Sequence, residues 1–156
     1  MKIPALICLF LPFTSALLSA QAPALAHAAA AAAVQHVDAA QAAKVLASAE
    51  AAKAAGRSIT VIDVRTPEEF AEGHLKGAQN VDIASPDFAG NLGKLDRAKT
   101  YLVHCAVGGR STRSLSVLEK LGFKSIIHLD GGINAWKKAG LPIEKPAAAP
   151  QAAPTK

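Results

Sequence analysis

One cysteine, two glycines and one arginine stand close enough in this chain to do nucleophilic chemistry. In Tyr101-Leu-Val-His-Cys-Ala-Val-Gly-Gly-Arg-Ser111 an apolar run ends at Cys105, and a helical pattern begins after Ser111. A cysteine at such a junction meets the unpaired N–H groups and the positive dipole end of a helix start, and both favour an anion. Gly108 and Gly109 let the loop curl so that successive N–H groups face inward. With the Arg110 guanidinium nearby, the thiol pKa falls and the nucleophilic thiolate is populated. The same cradle holds negative charge that develops on the sulfur or leaves from it.

The cysteine count sharpens this reading. The chain has 156 residues and 2 cysteines, Cys8 and Cys105. Residues 1–26 begin with Lys2, continue through a short Pro-broken apolar run and end in Ala24-Leu25-Ala26, a small-x-small cleavage signal, so they read as a secretory signal peptide. Cys8 leaves with that peptide, and Cys105 becomes the lone thiol of a periplasmic or secreted protein. Exported domains pair their cysteines or lack them, so a lone one is either a buried bystander or a reactive thiol. The glycines and arginine that follow Cys105 favour the reactive alternative.

Loop length separates two kinds of thiolate chemistry. Cysteine phosphatases carry His-Cys-x5-Arg, a loop that wraps a phosphoryl group. Here only four residues separate Cys105 from Arg110, and Ser111 occupies the phosphatase arginine position. The shorter loop encloses a smaller cargo, such as one extra sulfur atom.

The surrounding elements read as alternating strands and helices. After an alanine-rich leader at 27–33, Val34–Val37 forms a strand and Asp38 caps a helix over 39–55 that stops at Gly56. The β-branched run Ser58–Asp63 suits a strand buried on both faces. Thr66, Pro67 and Glu69 form a capping box that starts a short helix, and Gln79–Ile83 is a brief strand. Residues 85–99 are a loop with one short helix. Thr100–His104 is the central strand, Ser111–Lys120 a helix, Phe123–Leu129 a strand and Gly131–Lys138 a turn and a last short helix. The tail 146–156 has too little to bury and reads as disordered. This order predicts an α/β fold, a parallel sheet covered on both faces with the Cys105 loop at its carboxyl edge. Asp63 and Arg65 flank another strand end, where holding the turn is favoured over a direct catalytic role.

Three motifs in this order, Asp63-Val-Arg-Thr-Pro-Glu-Glu-Phe with Gly73-His-Leu-Lys-Gly-Ala, the Cys105 loop, and Leu129-Asp-Gly-Gly-Ile-Asn-Ala-Trp with Gly140-Leu-Pro, resemble a single-domain rhodanese, a sulfurtransferase. The resemblance runs from Val34 to Ile143 within a domain spanning 34–145. It implies a three-layer sandwich around a central parallel five-stranded sheet. It also implies that Cys105 accepts a sulfane sulfur from thiosulfate or a persulfide or polysulfide donor and passes it to a thiophilic acceptor. Ala106, Val107, Gly108, Gly109, Arg110 and Ser111 are then the substrate-binding residues, with Asp63 and Arg65 structural. Many active members carry a basic residue directly after the cysteine and a polar one next. Ala106 and Val107 depart from that pattern and point to a less charged donor than thiosulfate.

The partners expected are a small anionic sulfur donor, a thiol or cyanide acceptor and, in a rival non-catalytic reading, a dedicated protein that receives or docks the sulfur. A small cysteine phosphatase or arsenate reductase is the enzyme rival. The net charge of +5, or +4 without Lys2, is spread without a basic cluster, so nucleic-acid binding has no footprint. No cofactor is expected, and no His, Cys or carboxylate spacing suggests a metal site. No stable membrane association follows signal cleavage, and a monomer is the default. His104 is expected to face away from Cys105, His74 to brace its glycine turn, His128 to lie within a strand and Trp136 to plug the core.

Overall fold

The computed structural model describes residues 33–145; the expected signal peptide, most of the leader and the tail lie outside the described residues. The elements are β1 (Ala33–Val37), α1 (Ala39–Ala51), β2 (Ile59–Asp63), α2 (Pro67–Ala71), β3 (Gln79–Asn80), α3 (Phe88–Gly93), β4 (Thr100–His104), α4 (Gly109–Lys120), β5 (Ser125–Leu129) and α5 (Gly132–Lys138). They form a five-stranded sheet in the order β1-β5-β4-β2-β3, and all its pairings are parallel.

Alternation along the strands divides the core into two layers. Tyr101, Val103 and Ile126 pack with Leu115, Leu118 and Phe123 on the face covered by α3 and α4. Leu102, Ile127 and Leu129 pack with Ala42, Ile133 and Trp136 on the face covered by α1 and α5. Burial on both faces is why β2 and β4 are nearly continuous in apolar residues.

Local signals set the helix starts. Asp38 accepts the Gln41 N–H at 2.8 Å while Gln41 reaches back to the Asp38 N–H at 3.0 Å. Thr66 and Glu69 make the same reciprocal box at α2, with Pro67 in its first turn. Several expected boundaries shift, two of them by three residues or more. The helix over 39–55 stops being α-helical at Ala51 and finishes as a 3₁₀ turn, Lys53–Ala55, before Gly56 at φ 75°. The strand expected over 79–83 is confined to Gln79–Asn80, because the Asp82 carboxylate takes the Ala84 N–H at 2.8 Å and turns the chain.

The order of the strands positions the site. The connection leaving β4 runs to β5, whereas the one leaving β2 runs to β3 in the opposite direction. Their carboxyl ends therefore border a topological switch point, where α/β sheets open a crevice. The Cys105 loop and the β2–α2 segment flank that crevice.

Candidate active site

Cys105 follows directly on β4, and α4 begins at Gly109, two residues earlier than its apolar pattern suggests. Gly108 makes the early start possible by taking φ 102° at the cap. Arg110 and Ser111 consequently belong to the first helical turn. The Cys105 thiol is buried, and its sulfur accepts the Gly108 N–H at 3.1 Å and lies 3.5 Å from the Ser111 hydroxyl. Burial works to raise the thiol pKa, but the Ser111 hydroxyl and the N–H groups of Ser111, Gly108 and Val107 outweigh it and hold the pKa below the ordinary cysteine value. Backbone and hydroxyl donors lead in this acidifying cradle, and the Arg110 guanidinium also interacts with the thiol.

The other loop residues divide by exposure. Ala106 is half-buried, Gly108 and Ser111 are buried, Gly109 is exposed, and Val107 projects with 66% of its surface open. Arg110 does not stand free over the loop. Its guanidinium donates to both Glu69 oxygens, at 2.6 and 2.7 Å. This pair, joined across the crevice, holds Glu69 at a pKa of about 2 and raises that of Arg110. The sequence shows Glu69 only as a helix-cap residue; its second partner is 41 positions away.

A second helix end clamps the loop from behind. The Ile133 and Asn134 N–H groups, at the start of α5, donate to the carbonyls of Cys105 and Ala106 at 2.9 and 3.0 Å. Such proximity requires Gly132, at φ 58°, because a Cβ there would lie 2.6 Å from the Ala106 oxygen and closer still to that of Cys105.

Asp63 and Arg65 form a buried pair beside the crevice. Arg65 donates to the Asp63 carboxylate at 2.6–3.0 Å and to the Gly73 carbonyl at 2.8 Å, so it ties the β2 end to the turn before β3. His104 lies on this side of the sheet, with its Nε2 buried, unpartnered among the described residues and 3.7 Å from Asp63. Burial lowers its pKa. His74 stacks on Phe70 at 3.9 Å between ring centroids, and its Nδ1 lies 3.1 Å from the Phe70 carbonyl oxygen. Trp136 is buried and donates to the Pro142 carbonyl at 2.8 Å.

His128 looks from the sequence like an ordinary strand residue, and its surroundings make it more. It shares a sheet face with Ile126, and that face is the one under α4, so its Nε2 lies 2.8 Å from the Ser111 Oγ. Its Nδ1 lies 2.8 Å from Asp130 and 3.2 Å from the His36 Nδ1. The expectation that no residues suit a metal rests on spacing along the chain. The β1–β5 register adds what that spacing does not carry, since it sets His36 directly beside His128. Strand alternation is the available signal for His128, but nothing local announces its partner strand.

A thiol whose pKa is lowered by N–H groups where a helix begins is suited to act as a nucleophile. The family model described as the rhodanese-like domain matches residues 41–139. The chain belongs to the rhodanese-like family. Chloroplastic thiosulfate sulfurtransferase 16 of Arabidopsis thaliana is 37% identical over 93 residues, 53% of this chain and 78% of that protein. A probable adenylyltransferase/sulfurtransferase, MoeZ of Mycobacterium tuberculosis, is 38% identical over 84 residues, 54% of this chain. This chain spans 21% of the length of MoeZ, so the rhodanese-like domain corresponds to one part of that larger protein. Among solved structures, a rhodanese-related protein of Thermoplasma volcanium shares 29% identity at a TM-score of 0.56, covering 70% of this chain and 97% of that one.

Proposed function

We propose that this rhodanese-like chain is a periplasmic sulfurtransferase that carries a sulfane sulfur on Cys105. The observation that carries the reading is the Cys105 sulfur itself, acidified by Gly108, Ser111 and Val107 in a loop whose length suits one added atom. The thiolate attacks the outer sulfur of the donor and forms a new S–S bond. With thiosulfate the old S–S bond breaks and its electron pair leaves on sulfite; with a persulfide or polysulfide it leaves on the shortened thiolate. The Cys105 persulfide then gives its terminal sulfur to cyanide or a thiol, and the Cys105 thiolate is regenerated. The loop N–H groups stabilise the anionic sulfur at each stage.

The donor preference follows from charge. Ala106 and Val107 bring none, and Arg110 is already neutralised by Glu69. A doubly charged thiosulfate gains little in such a pocket, so a persulfide or polysulfide is the preferred donor. Exposure of Val107 on the loop favours a second reading, a partner-dedicated sulfur carrier in which a protein acceptor covers this side chain.

Incubation of the purified protein with thiosulfate or polysulfide, followed by intact mass measurement, should add one sulfur to wild type and none to Cys105→Ser. Transfer to cyanide should follow in wild type. No adduct from either donor overturns the sulfurtransferase reading, and an adduct inert to cyanide and low-molecular-weight thiols supports the carrier. Ala106→Arg should improve thiosulfate turnover, and an unchanged rate would sink the donor preference.

A further inference from the structure

Beside the Cys105 loop, the edge of the sheet gathers three side chains that sulfur transfer does not use as ligands. The parallel register pairs His36 of β1 with His128 of β5, and Asp130 follows one residue after β5 ends. Their side chains converge on one point. The His36 Nδ1 lies 3.0 Å from the Asp130 Oδ1, the His128 Nδ1 lies 2.8 Å from that same oxygen, and the two nitrogens are 3.2 Å apart. Four ligands at about 2.0 Å around a tetrahedral ion are about 3.3 Å from one another, so this triangle is nearly one face of such a polyhedron. His128 is buried, whereas the His36 and Asp130 side chains are 52% and 53% exposed, which leaves the outer position open to water.

We propose that His36, His128 and Asp130 bind one divalent transition-metal cation of the zinc class. Two imidazole nitrogens and one carboxylate form a borderline donor set that suits zinc, cobalt or nickel better than magnesium or calcium. The buried member is already oriented from its far side: the His128 Nε2 faces the Ser111 hydroxyl at 2.8 Å. An imidazole that ligates through Nδ1 keeps its proton on Nε2. His128 then donates to the Ser111 oxygen, and the hydroxyl hydrogen is left for the Gly108 carbonyl or for the Cys105 sulfur 3.5 Å away. The ion would thereby sit behind the catalytic loop and bias a donor to the thiolate without touching substrate.

Cobalt(II) titration of tag-free protein tests the site separately from sulfur transfer. Wild type and Cys105→Ser should both bind one equivalent, with visible d–d bands and no strong sulfur-to-cobalt charge-transfer band. His36→Ala and Asp130→Ala, at exposed positions, should each weaken binding at least tenfold while circular dichroism stays native. With zinc, imidazole nitrogen NMR should show His128 protonated on Nε2 and shifted at Nδ1. Absence of binding, loss of the spectrum in Cys105→Ser, or its persistence in the His36→Ala/Asp130→Ala double variant would overturn the proposal.

Discussion

Arg110 and Glu69 are 41 positions apart in the chain, yet they meet in a two-pronged ion pair whose donor–acceptor distances are 2.6 and 2.7 Å. Each comes from the first turn of a helix, α4 for Arg110 and α2 for Glu69. The Arg110 guanidinium is therefore committed before any substrate arrives. Glu69→Gln keeps an acceptor for the α2 cap but removes the negative charge. It should raise kcat/KM for thiosulfate about fivefold, ~1 kcal/mol for a partly exposed pair, and leave a neutral trisulfide donor unaffected. Parallel kinetics with the two donors check this; equal gains for both would mean that charge is not what limits thiosulfate.

The same pair makes acid stability depend on Glu69. Its folded pKa of about 2 lies below the ordinary 4.5, so the carboxylate's contribution is fully present above the ordinary value and disappears as pH falls through the folded one. Urea unfolding between pH 5 and pH 2, a range of about three units around these pKa values, should show a steeper loss in wild type than in Glu69→Gln. The difference should be on the order of 1 kcal/mol, because the pair is partly exposed to solvent.

The parts of this design that are legible in the chain are local. Asp38, Thr66 and Pro67 announce helix starts through groups within three residues, and β4 is readable because both its faces are apolar. The Cys105 loop is legible because its glycines and its helix start are contiguous with it. What stays hidden is long-range. Glu69 looks complete as a cap residue, and its bond to Arg110 exists only because β2 and β4 are neighbours. His128 reads as one polar residue in a strand until β1 is known to lie beside β5. The true start of α4 is hidden because Gly109 and Arg110 carry no apolar periodicity, although their backbone is already helical.

Asp63 and Arg65 are both almost wholly buried, so each charge depends on the other. Asp63→Asn should destabilise the protein by about 3–5 kcal/mol, since it strands a guanidinium in the interior. Replacing both, Asp63→Leu with Arg65→Met, should cost less than the single change. Urea midpoints of the two variants decide between them, and a double variant weaker than Asp63→Asn would show that the Arg65 bond to the Gly73 carbonyl matters more than the ion pair.

Ser111 acts on the thiol through a buried hydroxyl that also meets the Gly108 carbonyl and His128 Nε2, so the variant's circular dichroism is compared with wild type alongside its chemistry. Ser111→Ala removes one of the donors that lower the Cys105 pKa, so that pKa should rise and the thiolate fraction below it should fall. Alkylation of Cys105 by iodoacetamide at a pH below the pKa should slow about fivefold, ~1 kcal/mol of lost hydrogen bonding. The rate should recover as pH rises and the thiol ionises. Ser116→Ala, which loses only an exposed bond to the Arg113 carbonyl, should show no change. A uniform slowing at every pH would point to altered access instead of altered ionisation.

Gly132 allows the start of α5 to hold the Cys105 loop, and alanine there would meet two carbonyl oxygens of that loop, both of them backbone atoms unable to step aside cheaply. Gly132→Ala therefore has two costs, a left-handed backbone angle of about 1–2 kcal/mol and displacement of the loop. Gly140, at φ 69° with nothing within 4 Å of where a methyl group would stand, carries only the first. Gly140→Ala should lower the midpoint of urea unfolding and leave the rate of sulfur loading on Cys105 as in wild type. Gly132→Ala should lower both, with loading reduced at least tenfold, because the Ile133 and Asn134 N–H groups no longer reach the Cys105 and Ala106 carbonyls. If the two variants lose stability equally and both load sulfur normally, the α5 clamp does not set the shape of the loop.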